Sequence, residues 1–232
     1  MHSATYTERR SKLEAYFDRT AAAAWQRLTS DAPVSGIRAT VRAGRDEMRK
    51  TLLSWLPEDL TGLRLLDAGC GTGALASEAA LRGADVVAVD LSPTLVECAR
   101  ERAQEIGGPQ PHFVAGDMLG EEHGEFDHIV AMDSLIHYDA PDIVAALARA
   151  AKRCRRSMLF TVAPNSPLLS AMITVGRLFP RGDRAPFIAP LAESKLRRLI
   201  AAEPALRDFT AGRHRKVQRG FYTSQAYEWV RR

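Results

Sequence analysis

The stretch Leu65-Leu66-Asp67-Ala68-Gly69-Cys70-Gly71-Thr72-Gly73 constrains the fold more than any other part of the chain. Its glycines stand at alternate positions, after a short apolar run and before ALASEAALRG (74–83), which reads as an amphipathic helix that Gly83 can cap. A loop of this kind turns tightly between a buried strand and a helix, and it lets backbone amides approach a ligand closely. The next apolar run, DVVAVD, ends in Asp90, 19 positions after Gly71. At that spacing a carboxylate can grip ribose hydroxyls. The pattern predicts a nucleotide-cofactor site in an α/β fold.

The rest of the chain repeats the alternation. Strands are expected at 64–69, 85–90, 112–117, 126–133 and 157–163, and helices at 74–83, 93–107 and 141–152. That succession predicts a doubly wound, mostly parallel sheet. Two last strands, around 206–213 and 220–229, could finish it as a hairpin after a helix at 192–202. The resulting division is a helical arm over 1–58 (helices at 8–29 and 37–56), a cofactor-binding core over 59–163, an insertion over 164–191, and the end of the sheet over 192–232. The segment 163–191 carries five prolines among many apolar residues and is expected to lie over the active-site edge.

Composition narrows the setting. The N-terminus has no apolar signal region, and no run approaches the ~18 apolar residues of a membrane span. Cys70, Cys98 and Cys154 lack metal-ligand spacing and read as reduced thiols of a cytoplasmic protein. Charge is uneven, with 15 Lys/Arg against 23 Asp/Glu in residues 1–150 and 17 against 5 in residues 151–232. Such an excess suggests an anionic partner. RNA fits poorly, because the basic third lacks interleaved aromatics on which bases could stack.

Read loosely, Gly69-x-Gly71-x-x-Ala74 also satisfies a dinucleotide fingerprint, so an NAD-dependent oxidoreductase is an alternative. Three features oppose it. Asp67, two residues before the first glycine, can meet the ammonium group of an amino acid. Gly116-Asp117 can hydrogen-bond an adenine amino group. Little chain is left for a hydride-acceptor domain. Asp67-x-Gly-x-Gly-x-Gly, Asp90 and Gly116-Asp117 together resemble the class I S-adenosylmethionine methyltransferases over roughly residues 60–163, which implies a Rossmann-like fold with a seven-stranded sheet. The resemblance implies that Asp67 and the loop Gly69, Cys70, Gly71 and Gly73 hold the methionine moiety. Asp90 would take the ribose hydroxyls, Leu91, Asp117 and Met118 would border the adenine, and Met132 would line the same site.

The flanks are more specific. YFDRTAAAAWQRLTSDAPVSGIRATVRAGRDEMR (16–49), LIHYDAP (135–141) and GFYTSQAYEW (220–229) resemble the magnesium-protoporphyrin IX O-methyltransferases, most closely the bacteriochlorophyll-pathway branch. The resemblance spans essentially the whole chain. Where the oxygenic branch usually reads Tyr-Phe-Asn, this chain has Asp18. The family implies methyl transfer from S-adenosylmethionine to one propionate of Mg-protoporphyrin IX, giving the 13-monomethyl ester and S-adenosylhomocysteine, with magnesium present only as part of the substrate.

On this resemblance Tyr16 and His137 are candidate catalytic residues, and Arg42 is the candidate for the cofactor's carboxylate. Arg177, Arg181 and Arg184 could pair with the substrate's carboxylates, as His137 could contact substrate or its magnesium. The same resemblance brings magnesium chelatase into consideration as a partner, and the basic C-terminal third is compatible with peripheral contact with an anionic membrane surface. Two further readings stay open: a methyltransferase acting on a quinone or phenol, and a tetrapyrrole carrier without turnover.

Overall fold

A computed structural model describes residues 4–21, 36–165 and 188–232. The elements are α1 (Ala4–Ala15), continued by a π-helical segment Tyr16–Ala21, then α2 (Gly36–Leu53), β1 (Arg64–Ala68), α3 (Ala74–Leu81), β2 (Asp85–Asp90), α4 (Pro93–Ile106), β3 (His112–Ala115), β4 (Phe126–Ala131), α5 (Ala140–Ala151), β5 (Cys154–Val162), α6 (Glu193–Ala202), β6 (Phe209–Arg219) and β7 (Tyr222–Arg231).

The seven strands form one sheet in the order β3-β2-β1-β4-β5-β7-β6. Neighbours from β3 to β5 pair in parallel, while β7 lies antiparallel to both β5 and β6. The expected terminal hairpin therefore exists, and its second strand inserts beside β5. Side chains alternate across the strands, so each strand feeds two cores. Leu66, Ile129, Met158 and Phe160 pack on one face with α5 and α6. Leu65, Val86, Val130 and Leu159 pack on the other with Met48, Leu52 and Leu53 of α2. Those three α2 residues are fully buried, so the second half of the expected arm belongs to the core.

Several boundaries differ from the sequence reading. The first helix starts at Ala4 rather than 8, and its regular α-turns stop at Ala15. Strand β3 ends at Ala115, which leaves Gly116 and Asp117 free to turn above the sheet. Strand β4 ends at Ala131, because Asp133 adopts φ +53° and turns the chain away. The insertion leaves and returns side by side. Pro164 bridges Leu191, and the Ala189 amide donates to the Ile136 carbonyl at 2.9 Å. Trp25 and the arginines 177, 181 and 184 lie outside the described residues.

Candidate active site

In an open α/β sheet a crevice forms outside the carboxyl ends of strands where the chain reverses its winding direction. Here β1 is followed by β2 on one side and pairs with β4 on the other, and a cleft of about 670 Å³, counting the open space at its mouth, lies at their carboxyl ends. Gly69, Gly71, Asp90, Leu91, Asp117, Met118, Met132 and His137 line it, as do Tyr6, Leu13, Phe17, Arg45, Gly116, Asp133, Ser134 and Tyr138.

The floor is the glycine loop. Gly69, Gly71 and Gly73 have φ of +85°, +54° and +76°, which side-chain-bearing residues rarely adopt. A Cβ on Gly69 would stand 2.3 Å from the Ser134 Cβ, so the close passage of these two loops also requires glycine. The Gly71 amide donates to Asp90 Oδ2 at 2.8 Å and the Ser92 amide to Oδ1 at 3.0 Å, which fixes the carboxylate at the cleft. Burial pushes the Asp90 carboxyl up, against the pull of those amides.

Asp67 lies beneath the loop, 1% exposed, and its Oδ2 has no hydrogen-bond partner. Burial, with the Asp90 charge second, raises its pKa to about 7. A buried carboxylate with an open oxygen is costly unless something cationic or hydrogen-donating meets it. The Ser134 hydroxyl, on the cleft wall, is likewise buried without a partner. An amino-acid ammonium beside the loop would answer both, so the residues present fit the methionine part of S-adenosylmethionine.

The opposite end is walled by α1. Asp117 accepts from the Tyr6 hydroxyl at 3.1 Å, from Arg10 Nη1 at 2.9 Å and from the Leu119 amide at 2.9 Å. Tyr6 stacks on Tyr138 with ring centroids 4.9 Å apart. Burial raises the pKa of both phenols, so they stay neutral. Arg9 donates to the His137 carbonyl at 2.8 Å and to Asp139 at 2.7 Å. His137 is buried, with the Phe17 ring edge-on to its imidazole at 6.0 Å.

Not every predicted residue lines the cleft. Cys70 and Gly73 support it from below, and Asp67 is covered by the loop until a ligand answers its open oxygen. Gly73 caps α3, and a Cβ there would press on Ala99 and Phe113. Burial drives the Cys70 thiol well up, so it is no nucleophile. Tyr16 is half-buried with its ring edge-on to Phe17 and is not among the lining residues. Arg42 is not among them either; Arg45, three residues on along the same helix, is. Positions three apart share a helix face, so sequence could not choose between the two arginines.

The sequence reading missed Arg45, Asp133, Ser134, Tyr6 and Tyr138 as site residues. Asp133 carried a readable signal, a carboxylate closing an apolar strand run. Tyr6 carried none, because α1 has no strong apolar stripe to announce a docking face.

Comparisons with known proteins bear on this geometry. Residues 131–231 match the family model described as magnesium-protoporphyrin IX methyltransferase C-terminus, and residues 65–157 match a methyltransferase domain. The magnesium-protoporphyrin O-methyltransferase of Rhodobacter capsulatus is 48% identical over 97% of each chain. That of Synechocystis sp. is 30% identical over 93% of this chain and 94% of its own. The crystal structure of magnesium protoporphyrin IX methyltransferase from Synechocystis PCC 6803 with bound SAH superposes with a TM-score of 0.84 at 29% identity, covering 96% of this chain and 100% of that one. With its fold, its glycine-floored cleft and its full-length likeness in agreement, this chain belongs to the magnesium-protoporphyrin O-methyltransferase family.

Proposed function

We propose that this chain transfers a methyl group from S-adenosylmethionine to a propionate carboxylate of Mg-protoporphyrin IX. The observation that carries the cofactor side is the buried, half-unpartnered Asp67 beneath a glycine loop whose Gly71 amide anchors Asp90. The acceptor side rests on the 48% identity over nearly the whole chain.

S-adenosylmethionine supplies an electrophilic methyl on a sulfonium. Asp67 would take its ammonium, Arg45 in place of Arg42 its carboxylate, Asp90 its ribose hydroxyls, and Leu91, Asp117 and Met118 would border its adenine. A propionate has a pKa near that of Glu, about 4.3, and is already an anion at neutral pH. The chain therefore needs no general base, and its work is alignment and removal of water from the carboxylate.

His137 lines the cleft beside Phe17, and in this reading it would touch the acceptor, through a hydrogen bond to the propionate or as a ligand of the porphyrin's magnesium. In this reading Tyr16 belongs to an arm that would close over both ligands. Arg177, Arg181 and Arg184 remain the candidates for the carboxylates from the insertion, whose returning flank bonds Ile136 through Ala189.

No described helix is long and apolar enough to cross a membrane. A contact with magnesium chelatase or a lipid surface would have to use a basic face such as β6, where Arg215 and Arg219 share Glu47.

The test is an assay of purified protein with S-adenosylmethionine and Mg-protoporphyrin IX, read by mass spectrometry of the pigment. A gain of one methylene unit that disappears in Gly71→Val supports the reading. Tight binding of S-adenosylhomocysteine with no change in the pigment would keep the methyltransferase and discard the porphyrin.

A further inference from the structure

The polar corner at the carboxyl end of β4 holds more side chains than ligand binding alone requires. Asp133 sits at φ +53°, a conformation that costs a non-glycine residue energy and persists where surroundings over-determine it. Its side chain is 5% exposed. Oδ1 accepts from the hydroxyls of Thr161 (3.1 Å), Ser224 (3.0 Å) and Tyr222 (3.1 Å), and Oδ2 from Arg45 Nη1 (2.9 Å) and Tyr222 (2.9 Å). The Asp133 amide donates to Thr161 Oγ1 at 2.7 Å.

The donors come from α2, β5 and β7, which are far apart in the chain. VRAGR (41–45) and GFYTS (220–224), which lie within two of the stretches that carry the family resemblance, thus meet at this one carboxylate, two residues before the third, LIHYDAP (135–141). Gly44 makes the meeting close. A Cβ there would stand 2.4 Å from the Tyr222 ring.

We propose that Asp133 is a positioning residue for cofactor binding: it aims the Arg45 guanidinium into the cleft and touches neither substrate. The inference rests on the reading that Arg45 receives the cofactor's carboxylate. With four donor groups on two oxygens, Asp133 has no capacity left to act as a proton acceptor or to take a ligand's donor. Its pairing with Arg45 also keeps a bare anion from facing the incoming propionate. A guanidinium held by a charge-assisted bond keeps one orientation, whereas a loose one loses rotamer entropy when the cofactor arrives.

The experiment measures S-adenosylhomocysteine affinity by calorimetry, and KM for S-adenosylmethionine and kcat separately, for wild type, Asp133→Asn, Arg45→Gln, the double variant, and Tyr222→Phe. Asp133→Asn and Arg45→Gln should each weaken binding and raise KM by ~10-fold or more, the size of one charge-assisted hydrogen bond. At saturating cofactor kcat should stay within about threefold, because the chemistry itself is left untouched. The double variant should cost little more than either single one. Tyr222→Phe should give a smaller rise of the same kind.

A fall in kcat with KM unchanged would overturn the proposal and put Asp133 in the chemistry. Additive single effects, or wild-type affinity in a folded Asp133→Asn, would overturn it as well. If Asp133→Asn fails to fold, Tyr222→Phe decides, and unchanged affinity there counts against the proposal. Wild type that binds S-adenosylhomocysteine but leaves the porphyrin unmethylated would remove the acceptor assignment alone.

Discussion

The Asp18 carboxylate is seated on the N-terminus of α4. Its Oδ1 accepts from the Thr94 hydroxyl at 2.6 Å, from the Thr94 amide at 3.3 Å and from the Ser92 hydroxyl at 3.3 Å. Ser92 caps α4 and follows the cleft carboxylate Asp90 by two residues. A negative charge at a helix N-terminus is favourable. Asp18 thereby ties the Tyr16–Phe17 segment to the loop that carries Asp90. Asp18→Ala should raise KM for S-adenosylmethionine several-fold and speed tryptic cleavage near residues 16–45. Asp18→Asn keeps an accepting oxygen and should recover most of the loss. Equal defects in both variants would show that the charge, rather than the hydrogen bonds, holds the turn.

If Asp67 takes the ammonium as proposed, cofactor binding becomes a proton-linked event. Its pKa of about 7 in the free protein means that it is partly protonated at neutral pH. An ammonium partner favours the carboxylate and pulls that value down, so binding must release a proton. Affinity for S-adenosylhomocysteine should therefore weaken as pH falls through 7 toward the complex's lower pKa. Calorimetry in buffers of different ionisation enthalpy reads the proton directly, and a heat that is the same in every buffer would contradict the role.

His137→Ala separates acceptor chemistries. A carboxylate acceptor is already charged, so kcat should fall by no more than roughly the 10²-fold lower bound for losing a general base. The rate should also lack the steep rise with pH that deprotonation of a phenol would impose. A loss of 10⁴-fold or so on an accepted phenol, with that pH dependence, would point to a quinone-type substrate instead.

Gly69→Ala should abolish cofactor binding with modest effect on the fold. The added Cβ meets Ser134 on the cleft wall, and the residue must hold φ +85°. Leu52→Ala, fully buried under the sheet, should do the reverse. It should cost about 2–5 kcal/mol of stability, with KM near wild type in the protein that remains folded. Thermal melts with and without S-adenosylhomocysteine distinguish the two.

Strands and helices of the core were readable because apolar runs bounded by glycine or proline carry their own periodicity, as in DVVAVD over β2. Asp67, Asp90 and the glycine loop were readable because local spacing alone brings them together. Other site residues depend on contacts between distant segments, and spacing does not encode those. Tyr6 reaches Asp117 across 111 positions and Tyr222 reaches Asp133 across 89. Arg45 lines the cleft and Arg42, the candidate chosen from sequence, does not, and pattern alone does not choose between arginines three positions apart on one helix face. The end of β4 was placed two residues late because Asp133 looks like the last residue of a strand until its left-handed backbone is seen.

The contact between Gly44 and the Tyr222 ring restricts how such a chain can evolve. Any larger residue at 44 would have to be matched by a smaller one at 222, and that change would take away the phenol that helps hold Asp133. Neither site can drift alone without a penalty at the other. Across a lineage the two should be inherited as one character, and an alignment of relatives should show glycine and tyrosine lost together or not at all. Recombination that swaps the last strand between distant homologues should succeed where the donor pairs with glycine at the matching helical position, and fail where it does not.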